Sequence, residues 1–129
     1  MGSDFKIDTG GRLIDWRIGG HVSAETLSQN FNALLSRPDY SPEYDMLVII
    51  RHDARLGDLD FDALRQFQAY MQTRRAEVDG DAEIKVAMVF ERPEHMAIIQ
   101  LHAMSYTPHS RAELRAFPGE TEARAWLEG

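Results

Sequence analysis

The chain has 129 residues and no cysteine, with 21 acidic against 14 basic residues for a formal charge of -7. That length is typical of one domain and lets roughly two thirds of the unfolded surface be buried, so no covalent staple is needed. Without cysteine there are no disulfides, thiolate metal sites or thiol catalysis. The acidic balance, with no basic stripe, disfavours nucleic acid as a partner. No apolar stretch reaches the roughly 18 residues of a membrane span, and MGSDFKID lacks the apolar centre of a signal peptide. A cytoplasmic protein is the expectation.

Phe5 and Ile7, then Thr9-Gly10-Gly11-Arg12, then Leu13 to Ile18 read as a hairpin whose turn the two glycines supply. Ile14, Trp16 and Ile18 alternate with Asp15 and Arg17, as in a strand buried on one face. Ser23 caps a helix, Glu25 lies in its first turn, and Leu27, Phe31, Leu34 and Leu35 share its apolar side up to Pro38. Residues 39–45 form a connection. Met46 to Ile50 is a short, branched apolar run, expected to be a central strand covered on both faces.

Asp60 caps the second predicted helix, with Phe61, Leu64, Phe67 and Met71 inward and Arg65, Arg74 and Arg75 solvated. Gly80 lies in the exit turn. Ile84, Val86, Met88 and Phe90 mark the next strand. Pro93 suits the start of a third helix carrying Met96, Ile99, Leu101 and Met104, which Pro108 ends. Leu114 to Phe117 reads as an edge strand, and Glu120 to Leu127 as a last helix packing Ala123, Trp126 and Leu127. The order β-β-α-β-α-β-α-β-α implies one α/β domain over residues 1–129. Its sheet of four to five strands is mixed and largely parallel, with the first strand antiparallel.

Gly20-His21-Val22-Ser23-Ala24-Glu25-Thr26-Leu27 resembles the opening of the first helix in STAS domains, and more closely the SpoIIAA-like (STAS/SEC14-like) bacterial family. Leu34-Leu35-Ser36-Arg37-Pro38-Asp39-Tyr40, the strand Leu47 to Arg51 with its polar loop, and the tail Phe117 to Leu127 carry the same resemblance. It covers nearly the whole chain and implies an α/β sandwich with no catalytic residue. STAS antagonists place a phosphorylated hydroxyl where the third strand meets the second helix. Here that junction reads Asp58-Leu59-Asp60-Phe61, with no hydroxyl, so no phosphoswitch operates at it.

Three groups are candidate sites. Loops at the carboxyl ends of the strands supply His21, Ser23, Arg51, His52, Asp53, Arg55, Asp58, Glu91, Arg92, Glu94 and His95. His52 and Asp53 could provide a base and an orienting carboxylate, although neighbours on an extended segment point opposite ways. The simpler reading is a solvated, mutually paired rim. His95, His102 and His109 recur every seven residues, too far apart for ligands of one ion, so no metal is expected. His95 reads as a solvated first-turn residue. Phe61, Phe67, Tyr70, Met71, Met88, Met96 and Met104 form a methionine-rich apolar set. It is either ordinary core or, as the SEC14-like resemblance implies, a pocket for a lipid or other apolar molecule.

The leading expectation is a non-catalytic binding or regulatory module that acts through a protein partner. By the resemblance its contact face runs through Leu56, Asp58, Leu59, Asp60, Phe61 and Leu64, and it should present an exposed apolar patch near Leu56, Leu59 and Phe61. The alternative is a carrier or sensor of an apolar small molecule. An enzyme using His52 as base ranks last. No cofactor is expected, and a homodimer is compatible with the chain's size.

Overall fold

The computed structural model describes residues 4–41, 43–57, 59–60, 62–67, 69–70, 73, 84–97, 100 and 112–129. Five strands, β1 (Asp4–Asp8), β2 (Leu13–Ile18), β3 (Asp45–Ile50), β4 (Ile84–Phe90) and β5 (Ala112–Phe117), form one sheet in the order β1-β2-β3-β4-β5. β1 is antiparallel to β2, and the other neighbours are parallel. The chain is therefore an α/β protein with a mixed five-stranded sheet. The expected order of strands holds where it is described, and β5 lies at an edge.

Each strand puts alternate side chains on opposite faces. The register aligns Ile14 with Met46 and Val86, Trp16 with Val48 and Met88, and Ile18 with Ile50 and Phe90. That face is apolar from Phe5 and Ile7 on β1 to Leu114 and Ala116 on β5. The first helix (Ala24–Leu35) covers it with Leu27, Phe31 and Leu34, and Leu64 and Phe67 of the helical stretch 62–67 join the same core.

The opposite face holds Leu47, Ile49, Ala87 and Val89. The C-terminal helix (Glu120–Glu128) lies across β3, β4 and β5 and adds Ala123, with Trp126 and Leu127 at the margin. Lys85 and Arg115 stand 5.5 and 5.4 Å from the Trp126 ring. The β3 run Leu47 to Ile50 is thus buried from both sides, which explains its lack of alternation.

The first helix starts as the sequence implies. The Thr26 N–H donates to Ser23 Oγ at 3.2 Å, and the Ser23 N–H donates to Thr26 Oγ1 at 2.8 Å, a reciprocal cap. The hairpin turn differs from expectation. The left-handed residue is Arg12, at φ 56°, rather than either glycine. At Gly11 a Cβ would meet Asp8 Oδ2 at 2.6 Å, so the Asp8 carboxylate, which accepts the Gly11 N–H, would have to shift.

β2 to β5 are parallel and adjacent in chain order, and the described helical parts of their connections that pack on the core, the first helix and the stretch 62–67, lie on the same face, as right-handed crossovers require.

Candidate functional site at the carboxyl ends of the strands

The chain leaves β2, β3 and β4 at the same end of the sheet. The Arg51 N–H donates to the Ile18 carbonyl at 2.8 Å, and the Glu91 N–H to that of Ile50 at 3.3 Å, so the ladder runs one residue past each strand. Gly20, at φ 70°, turns its carbonyl to accept the Arg55 N–H at 2.7 Å. The Val22 N–H donates to the Arg55 carbonyl at 3.0 Å, which makes a parallel bridge between His21 and Arg55. The loop after β3 is thereby fixed to the exit of β2.

The other side of that loop is tied to β4. Glu91 Oε1 accepts the His52 backbone N–H at 2.8 Å and lies 3.7 Å from its Nδ1. Arg92 donates to the His52 carbonyl at 3.4 Å and pairs with Glu94. The Glu94 carboxyl is held below its ordinary range by its own backbone N–H and by Arg92. Arg51 reaches Asp4 at 3.1 Å. The carboxylate placed beside His52 is thus Glu91, which sequence spacing could not reveal because it arrives from another strand. The His52 side chain is 80% exposed.

The loop buries its apolar members. Ala54, Leu56 and Leu59 are 3%, 7% and 6% exposed, and Leu64 is 2% exposed, all in the main core. The expected exposed apolar patch is absent at Leu56 and Leu59, because the end of the apolar sheet face lies beneath them and burying a leucine stabilises by about 1.5–3 kcal/mol. Asp60 is exposed, and its Oδ1 accepts the Ala63 N–H at 2.8 Å, the capping role expected of it. Asp58 and Phe61 lie outside the described residues. Outward from this loop stand His52, Asp53, Arg55 and Asp60.

His95 corrects a second expectation. It is 5% exposed rather than solvated, in a turn where the His95 N–H donates to the Arg92 carbonyl at 3.0 Å. Its Nδ1, like Nε1 of Trp16, is buried without a hydrogen-bond partner among the described residues. Of the apolar set, Phe67 and Met88 are buried in the main core, and Tyr70 and Met96 are partly exposed. Phe67 meets Phe31 edge-on at 6.4 Å. Met71 and Met104, with His102 and His109, lie outside the described residues.

Among the described residues no group of three or more histidines and carboxylates could hold a metal ion, and no helix is long and apolar enough to cross a membrane. No protein-family model matches the chain, and no curated protein matches it.

Proposed function

We propose that this chain is a non-catalytic, cytosolic binding or regulatory module of SpoIIAA-like type that acts through a protein partner at the loop 51–60. The observation that carries this reading is the construction of that loop. Ala54, Leu56 and Leu59 anchor it from below, β2 and β4 hold its backbone on either side, and His52, Asp53, Arg55 and Asp60 face outward. A preordered polar segment loses little conformational freedom on binding and selects partners by charge and hydrogen bonding. The contact is accordingly polar, with Leu56, Leu59 and Leu64 as its support. The His52 side chain, 80% exposed, stands open to a partner at this face.

The test is capture from a lysate of the source cells by the immobilised chain, with Arg55→Glu and a distant control, Glu128→Lys. A partner lost with the first variant and kept with the second supports the reading. A partner kept by both rejects this face.

A second reading, a carrier of an apolar small molecule, is favoured by Trp16 Nε1 in the main core and the buried His95 Nδ1, which have no hydrogen-bond partner among the described residues. A buried polar atom left unpaired costs about 1–3 kcal/mol, which a ligand bearing polar atoms would relieve. Native mass spectrometry of the purified chain should then show a reproducible added mass that falls away in Trp16→Phe. A bare mass in both proteins removes this reading.

A further inference from the structure

β1 closes the sheet on one side, with β2 as its neighbour. Its ladder runs unbroken from Asp4 against Arg17 to Asp8 against Leu13, without a bulge, and no proline interrupts Asp4–Asp8. Such an edge is a template for another strand unless charge, proline or distortion blunts it. Here charge is the device present. Asp4, Lys6 and Asp8 share one face, while Phe5 and Ile7 on the other lie half-buried against the main core, Phe5 over Trp16 at 5.3 Å. Lys6 forms no ion pair among the described residues.

This pattern selects a register. Directly opposed like charges destabilise an antiparallel pair and opposite charges stabilise it. About a two-fold axis at Lys6, lysine meets lysine and aspartate meets aspartate. About an axis at Phe5, Lys6 would need Asp4, which Arg51 already engages at 3.1 Å. About an axis at Ile7, each Lys6 faces the partner's Asp8 and Ile7 faces the partner's Ile7. The other edge, β5, also alternates charge, but its Arg115 lies beside Glu113 at 4.0 Å and over Trp126.

We propose that a second copy of this chain docks on β1, antiparallel about a two-fold axis at Ile7, with Lys6, Ile7 and Asp8 of each copy paired and Ile7 meeting Ile7 across the axis. Sedimentation equilibrium should show a reversible dimer. Lys6→Glu should weaken it about tenfold, since two cross-strand pairs turn repulsive, and the charge swap Lys6→Glu with Asp8→Lys should restore it.

Asp8 also closes the hairpin turn, so a second measurement leaves it intact. In this cysteine-free chain, Ile7→Cys should join two copies by a disulfide on mild oxidation, whereas Phe5→Cys and Leu114→Cys should not. A monomer at every concentration overturns the proposal. So does a dimer that Leu114→Cys links, or one indifferent to Lys6→Glu.

Discussion

Asp15 on β2 and Arg124 on the C-terminal helix meet at 3.4 Å, joining positions 109 residues apart in sequence. The same carboxylate accepts two hydrogen bonds from Arg17, at 3.1 and 3.2 Å, and its side chain is only 13% exposed. Arg124 also pairs with Glu120 at 2.7 Å. The C-terminal helix is therefore anchored to the sheet by a small ionic cluster beside its apolar contacts.

Replacing Asp15 by asparagine keeps the shape and removes the charge that two guanidinium groups share. It should cost about 1–2 kcal/mol, the range for hydrogen bonds to charged groups reduced for partial solvation. Arg124→Ala should cost about 0.5 kcal/mol, since its 42% exposed side chain is already screened. Urea unfolding of both variants measures the difference. The Arg17 guanidinium is raised above its ordinary value, chiefly by the Asp15 hydrogen bond. A base so raised contributes its stability fully below that value, so Arg17 itself adds no pH dependence in the neutral range.

Gly20 and Gly57 should respond oppositely to alanine. Gly20 sits at φ 70°, which an L side chain adopts at a cost of about 1–2 kcal/mol, and its carbonyl holds the loop at Arg55. A Cβ at Gly57 meets nothing within 4 Å. Gly20→Ala should lower stability and free the bridge at His21, while Gly57→Ala should be neutral or stabilise by up to about 1 kcal/mol through the unfolded state. Thermal unfolding and amide exchange at Val22 and Arg55 distinguish the two.

Glu94 should make a small acid-sensitive contribution. Its folded value is lowered, first by its own backbone N–H and then by Arg92, so the contribution is present above the ordinary 4.5 and is lost as pH falls through the lowered value. Glu94→Gln should therefore be less stable than the parent at pH 7, and the gap should narrow as pH falls below the ordinary 4.5 and through the lowered value. Denaturant titrations across that range provide the comparison, and a gap that does not narrow on acidification would contradict the assignment.

Much of the architecture was legible because it depends on local periodicity. Ile14, Trp16 and Ile18 announce a one-sided strand, Leu47 to Ile50 a two-sided one, and Ser23 a helix start. The candidate site was less so. Leu56 and Leu59 look like exposed loop leucines until the sheet end beneath them is known. Glu91, the carboxylate beside His52, is 39 residues away. His95 looks solvated by position and is buried in the folded chain.

By itself the sequence determined the element types, the apolar set from which the core is drawn and the exclusion of thiol chemistry, since each follows from composition or from spacing along one segment. Tertiary structure alone decided which loop residues face water and which carboxylate meets which cation. Those outcomes depend on strand order and crossover direction, which bring together residues that no local pattern connects.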